Sequence, residues 1–148
     1  MKTTFLIDEL FEGVLIPLRQ LLSRVVTCEP YCCSMRNLTV RGQVPFSLDV
    51  ATFEKLTNYM DLGFIISHQE LMAFAESDIE IQDGTFNFYR VITECIDGSP
   101  YLELHCLDSS FWEIVTDSEE LIRILKDRGF VEREACPTPD SPPATPRG

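Results

Sequence analysis

The hydrophobic positions near the start of the chain recur with the period of a helix. Between residues 4 and 26 they fall on one stripe of a helical wheel, made of Ile7, Leu10, Phe11, Val14, Leu18, Leu21, Leu22 and Val25. Pro17 lies inside this stripe and Gly13 precedes it by about one turn, and both residues disfavour an unbroken helix. The pattern therefore predicts two helical pieces, or one helix kinked near residues 13–17.

The middle of the chain begins with a strand-like stretch. Alternating apolar residues within 37–46 predict a strand. Ser47 or Asp49 can cap a following helix, which Gly63 would end. The segment Ser67-His-Gln-Glu70 has the spacing of a capping box, and it predicts a second, shorter helix.

From residue 78 onward the hydrophobic period becomes that of a strand. Asp83-Gly84 and Asp97-Gly98 carry the turn signals of hairpins. A further capping box, Thr116-Asp-Ser-Glu119, predicts a last helix that ends at Gly129. The predicted fold class is α+β, with N-terminal, middle and C-terminal helices packed on an antiparallel meander. That meander, over about residues 78–115, has four predicted strands: 78–82, 86–96, 101–107 and 111–115.

The composition separates a folded part from a short tail. A chain of 148 residues with 45% hydrophobic content favours a single packed domain, which we place at residues 1–136. Residues 137–148 contain five prolines, and we expect a disordered, Pro-rich tail there. Acidic residues interrupt the first apolar run before it resembles a signal peptide, and no stretch approaches the ~20 apolar residues of a membrane span. We therefore expect a cytoplasmic protein.

Negative charge is concentrated in the second half of the chain. Residues 56–122 hold fourteen carboxylates and one base, Arg90, whereas residues 1–60 hold six acids and six bases. An anionic field of this density repels nucleic acid and acidic membranes and attracts cationic proteins. The charge pattern favours a basic protein as the partner and argues against direct binding of nucleic acid or membrane.

Six cysteines offer a second kind of chemistry. Cys28, Cys32 and Cys33 form a cluster of soft ligands, but a structural zinc site wants four ligands in two short pairs and the second pair is missing. Without an export signal, reduced thiols packed in the core are expected. The cluster remains a weak candidate for a metal site, and no cofactor is predicted.

The predicted hairpin around Gly98 carries the main candidate site. If Asp97 pairs with Pro100, Glu94 faces Glu103, and these two like charges repel each other unless a cation lies between them. Glu113 on the next strand extends the same face. We interpret this face as a docking surface for a Lys- or Arg-rich partner. Its residues are Glu94, Tyr101, Glu103, His105, Phe111 and Glu113.

Other kinds of site have less support in the sequence. No EF-hand loop is present, although Asp78, Glu80 and Asp83 approximate one poorly. No nucleophile elbow, phosphate-binding glycine loop or H-E-x-x-H motif occurs, so an enzyme is not predicted. Two acidic residues on an open sheet face also lack the pocket that would separate their pKa values for catalysis.

Taken together, these features predict a non-enzymatic protein-binding module that docks and neutralises a basic partner. In size and charge it is similar to the immunity proteins that bacteria pair with their own secreted toxins. Two other hypotheses stay open. One is a DNA-mimicking inhibitor of a nucleic-acid-binding enzyme, and the other is a zinc-binding or redox protein built on the cysteines.

Overall fold

The computed structural model describes residues 2–133, and this part of the chain folds into eight strands and five helices. The strands are β1 (Thr3–Ile7), β2 (Leu10–Phe11), β3 (Val14–Leu15), β4 (Cys32–Gly42), β5 (Phe64–Ile66), β6 (Ile79–Tyr89), β7 (Leu102–Leu107) and β8 (Phe111–Thr116). The helices are α1 (Leu18–Val25), α2 (Val50–Tyr59), α3 (His68–Glu76), α4 (Ile92–Asp97) and α5 (Glu119–Asp127). The α+β class predicted from the sequence is confirmed.

Six of the strands form one antiparallel sheet. Its order is β1-β8-β7-β6-β4-β5, so the first strand of the chain pairs with the last. The strands β6, β7 and β8 are consecutive neighbours and form the meander. The two short strands β2 and β3 pair only with each other, as a separate hairpin.

The main core lies between one face of this sheet and the helices α1, α2, α3 and α5. Apolar side chains on that face alternate with residues of the opposite face, as the pleat of a strand requires. A chain of aromatic rings runs through the core, with neighbouring ring centroids 5.7–6.2 Å apart. Burying each of these large side chains contributes roughly 1.5–3 kcal/mol, so this chain is a main source of stability. Its members are Phe53, Phe74, Phe86 and Trp112.

Helix α4 lies on the other face of the sheet. Its one buried residue, Cys95, forms a small second cluster with Cys32 of β4 and Tyr89 of β6. The two hydrophobic clusters are therefore on opposite sides of the same sheet.

The prediction of helix over the first part of the chain is wrong before residue 17. Phe5 of β1 is fully buried through the pairing of that strand with β8, which is a contact that no local pattern reveals. Glu12 and Gly13, with φ of +53° and +85°, make the tight turn of the β2–β3 hairpin. Pro17 is the N-cap residue of α1, where its missing N–H costs nothing.

The predicted hairpin at Asp83-Gly84 is also wrong, because β6 runs straight through it. The register between β4 and β6 shifts at this point, and Leu38 of β4 approaches Gly84 so closely that a Cβ there would lie 1.9 Å from a methyl carbon. Gly84 is therefore needed for a close approach at a β-bulge and not for a turn. The meander has one long strand where two were predicted.

Residues 92–97 form helix α4 and not the end of a strand. The Glu94 carboxylate accepts a hydrogen bond of 2.7 Å from the Arg90 N–H ahead of the helix. At the other end Gly98 adopts a left-handed conformation, and the N–H of Ser99 reaches back to the Glu94 carbonyl. Short-range contacts of this kind favour one and a half turns of helix over an extended chain.

The helix caps in the middle of the chain agree with their local signals, whereas the strand predicted within 37–46 lies earlier, at Cys32–Gly42. Asp49 caps α2, and Ser67 with Glu70 forms a complete capping box at α3. Helix α5 is also present, but its N-cap is Ser118 and not Thr116. The Thr116 hydroxyl instead donates to the Tyr101 carbonyl.

No helix within residues 2–133 is long and apolar enough to cross a membrane. The predicted Pro-rich tail lies outside the described residues.

Candidate functional site

The side of the sheet opposite the main core carries the candidate site. Over β7, β8 and β1 none of the described helices covers it, and we call this region the open face. Along β7 and β8 its residues alternate with buried core residues, and most are half-buried. The open face consists of Thr4, Leu6, Glu103, His105, Leu107, Phe111, Glu113 and Val115, with Thr85 and Asn87 of β6 at its edge.

The centre of the open face is a row of polar residues on adjacent strands. His105 of β7 lies directly opposite Glu113 of β8 and Thr85 of β6. Its Nδ1 is 2.9 Å from the Thr85 hydroxyl, and its Nε2 is 3.1 Å from the carboxylate of Glu103, two residues earlier on β7. A neutral ring with its proton on Nε2 satisfies both contacts, because it donates to Glu103 and accepts from Thr85.

Glu103 is a carboxylate of the open face with two hydrogen-bond donors. Besides His105, it accepts a hydrogen bond of 2.7 Å from the Lys2 ammonium. The hydrogen bond from His105, with a further contribution from Lys2, lowers the pKa of Glu103 to about 2 against the opposing effect of burial. This carboxylate is therefore charged at any physiological pH.

Glu113 has a cationic partner of its own. The Arg133 guanidinium, on the segment that follows α5, pairs with the Glu113 carboxylate. The same segment lies along β1. The Arg133 N–H donates to the Thr4 carbonyl at 2.7 Å, and the backbone of Glu132 forms an isolated antiparallel β-bridge with that of Phe5. The C-terminal end of the described chain thus reaches the edge of the open face.

Apolar side chains flank these carboxylates. Leu6 lies opposite Glu113 and is 38% exposed, while Val115 lies opposite Glu103. Phe111 and the exposed Leu107 face each other at the end of the β7–β8 pair. Aromatic residues are enriched at protein interfaces, whereas Glu and Asp are depleted there, so the apolar part of this face resembles an interface more than its carboxylates do.

Two residues predicted for this face lie elsewhere. The predicted register, in which Glu94 opposes Glu103, is wrong, because Glu94 is on α4 and the β6 residue opposite Glu103 is Asn87. Tyr101 is only 7% exposed, and the Arg90 guanidinium covers its ring at 4.5 Å from the centroid. The structure brings together the other four predicted residues, Glu103, His105, Phe111 and Glu113.

Sequence reasoning missed the cations of this site. Lys2 is 101 residues from Glu103, and Arg133 is 20 residues from Glu113, so neither contact has a local signal. Thr85 would have been found from the alternation of β6 had the bulge at Gly84 been recognised.

The cysteine cluster is divided between two sides of the sheet. Cys33 is buried in the main core, Cys32 lies in the small cluster with Cys95, and Cys28 is exposed. Burial raises the pKa of the Cys32 thiol to about 12 and raises that of Cys33 well above its usual range, which opposes the thiolate form that binds metals. Within residues 2–133 no group of three or more His, Cys, Asp or Glu side chains could hold a metal ion.

Comparisons of the chain with protein-family models, with curated proteins and with solved structures found no match.

Proposed function

We propose that this chain is an intracellular, non-enzymatic protein-binding module, an acidic inhibitor of the immunity type, whose open face docks a basic partner such as a toxin. The observation that carries the proposal is that Glu103 and Glu113 already bind cationic side chains. Both cations come from segments outside the strands that hold the carboxylates. A partner's lysine or arginine would find the same acceptors.

The exposure of the paired groups supports such an exchange. The side chains of Lys2 and Arg133 are 57% and 43% exposed, whereas those of Glu103 and Glu113 are 16% and 20% exposed. Exposed ion pairs contribute only about 0–1 kcal/mol each, so displacing the two cations costs little. The same carboxylates covered by a partner would interact more strongly, because the surrounding water is then excluded.

The apolar residues of the open face would supply binding energy that charged contacts alone do not provide. Charges steer a partner and set its register, but most binding energy at interfaces comes from a few buried apolar or aromatic groups. Phe111, Val115 and Leu6 are placed to be covered when a partner docks. We therefore assign Phe111 the role of anchor, with Glu103 and Glu113 as the charged contacts.

The test compares two variants that lose the same two negative charges. Glu103→Gln with Glu113→Gln changes the open face, and Glu119→Gln with Glu120→Gln changes two exposed residues at the start of α5. Each immobilised protein is used to capture partners from a lysate of the source organism, at low and at moderate salt. A third variant, Phe111→Ser, tests the anchor without altering charge.

We expect one basic protein to be held by the wild type and by the α5 variant, and to be lost with both open-face variants. The purified partner should then bind with one-to-one stoichiometry, and the affinity should fall as salt rises. Equal capture by all variants would contradict docking at the open face. If duplex DNA displaced the captured protein, the result would point instead to mimicry of nucleic acid.

A further inference from the structure

His105 lies at the centre of the open face, between the two carboxylates of the proposed docking contact. Its Nε2 is 3.1 Å from the carboxylate of Glu103, and Glu113 lies directly opposite it on β8. Histidine is the side chain whose charge ordinarily changes between pH 5 and 8, and the whole chain has two of them. The proposed docking role gives this ring no part of its own.

The contacts of the His105 ring are compatible with both of its charge states. In the neutral ring Nε2 donates to Glu103, and Nδ1 accepts from the Thr85 hydroxyl at 2.9 Å. In the charged ring Nδ1 also carries a proton, and the Thr85 hydroxyl then accepts it, because a hydroxyl can donate or accept. Protonation therefore changes the charge of the open face and requires no movement of its strands.

Charged groups of both signs surround this ring. The carboxylates come from β6, β7 and β8, and the cations come from β4, from the residue before β1 and from the segment after α5. They are Asp83, Glu103, Glu113, Arg36, Lys2 and Arg133. Lys2 and Arg133 are the two cations that a docking partner would displace. They are exposed, so water weakens their repulsion of a charged His105 ring.

A partner that covers the open face would disfavour the charged ring for two reasons. The side chain of His105 is 26% exposed, and covering it removes the water that solvates a positive charge. The partner's cations at Glu103 and Glu113 would also lie close to the ring in a region without water, where charges of the same sign repel each other more strongly. Both effects favour the neutral ring in the complex.

We propose that His105 couples docking at the open face to pH, so that a basic partner binds the neutral form and is released from the charged form. The role of His105 rests on the proposed function, because it regulates the same face. Binding and protonation oppose each other by the same factor, since the two equilibria are linked. From pH 7.0 to pH 5.5 we expect the affinity to fall about fivefold to tenfold, at the lower end of the usual range for coupled sites.

The experiment uses a cationic probe that does not itself titrate. The full-length chain is titrated by calorimetry with an octalysine peptide, acetylated at one end and amidated at the other, at pH 7.0 and pH 5.5 and at constant ionic strength. His105→Gln removes the ring and keeps an amide donor and acceptor. His68→Gln makes the same change in the first turn of α3, on the core side of the sheet. The wild type and His68→Gln should bind about fivefold to tenfold more weakly at pH 5.5, whereas His105→Gln should change less than about twofold.

A measurement on the wild type requires no substitution at His105. The ring signals of the two histidines are followed by NMR against pH, with and without the octalysine peptide, and His68→Gln identifies which signal is which. We expect the peptide to lower the pH at which the His105 ring becomes charged. Should His105→Gln fail to fold, this measurement decides the question.

The double variant Glu103→Gln with Glu113→Gln distinguishes failure of the His105 role from failure of the proposed function. If this variant loses the peptide but wild-type binding is equal at the two pH values, the role of His105 is overturned and the docking face stands. A pH dependence that persists in His105→Gln, or an NMR titration that the peptide does not shift, would overturn that role as well. Binding that is absent, or that the double variant does not weaken, would overturn both.

Discussion

Replacing Glu103 with glutamine should remove part of the acid sensitivity of the fold. The contacts from His105 and Lys2 hold the pKa of Glu103 at about 2, below its ordinary value of 4.5. A carboxylate whose pKa is lower in the folded than in the unfolded chain stabilises the fold at pH above its unfolded value. This contribution shrinks as the pH falls below about 4.5 and is gone below about 2.

The magnitude follows from the size of that shift. One pKa unit corresponds to about 1.4 kcal/mol, so the change from 4.5 to about 2 sets an upper value of about 3.5 kcal/mol. Lys2 is more than half exposed, and solvent screens its share of the interaction. We therefore expect Glu103 to contribute about 1–2 kcal/mol at neutral pH and close to nothing at pH 2.

The measurement is the free energy of unfolding in urea at several pH values from 6 to 2, followed by circular dichroism. Glu103→Gln should be less stable than the wild type at pH 6, and the difference should vanish at low pH. Glu113→Gln is the matched control, because it removes a carboxylate of the same face and leaves Glu103 with both of its donors. If Glu103→Gln lost stability as steeply as the wild type between pH 5 and 2, the network around Glu103 would not have the assigned effect.

Two further predictions concern the stability of the sheet at Gly84 and at Trp112. Gly84→Ala should lower the free energy of unfolding by about 2–3 kcal/mol, because the new Cβ would lie 1.9 Å from a methyl carbon of Leu38. Gly98→Ala should lower it by about 1 kcal/mol, because Gly98 has a φ of +70° but open space around it. Equal midpoints of urea unfolding for these two variants would refute the close approach at the bulge. Trp112→Phe should cost about 1–3 kcal/mol because it leaves the buried Ile16 carbonyl without its donor. Unfolding followed by circular dichroism measures that cost, and a loss below about 0.5 kcal/mol would contradict the assigned hydrogen bond.

Elements with strong local signals could be predicted from the sequence. The caps at Asp49 and Ser67 satisfy backbone donors within three residues, so their effect does not depend on the rest of the molecule. Helices α2 and α3 accordingly begin where these caps predict. Strands β7 and β8 pair across a short turn, so their contacts are also local in sequence. They agree with the alternation of residues 101–115.

Elements that depend on distant contacts could not be predicted. Ile7 fits both the helical stripe and a strand pattern, and the pairing of its strand with β8, where Ile7 lies opposite Trp112, decides between them. Asp83-Gly84 has the sequence of a hairpin turn, but a glycine is also what a bulge requires, and only Leu38 of the neighbouring strand distinguishes the two. In both cases tertiary contacts override the local preference.

The candidate site was predicted only in part. Strand alternation places Glu103 and His105 on one face whatever the neighbours are, and the β7–β8 turn brings Glu113 beside them. Glu94 would belong to this face only if residues 92–97 formed a strand. They form helix α4, and the Glu94 carboxylate accepts a hydrogen bond from the Arg90 N–H ahead of it. A cavity beside Trp112 is lined by the β2–β3 hairpin, and the sequence pattern predicted helix for these residues.

The pairing of β1 with β8 also determines the order in which this protein can be completed during translation. Thr3 pairs with Thr116 and Ile7 with Trp112, so β1 is synthesised more than a hundred residues before its partner. At the usual rate of about 5–20 residues per second, β1 waits roughly 5–20 s for β8 to leave the ribosome. During that time Phe5 has no core to enter, and the first strand is exposed to chaperones and proteases while the rest of the sheet assembles.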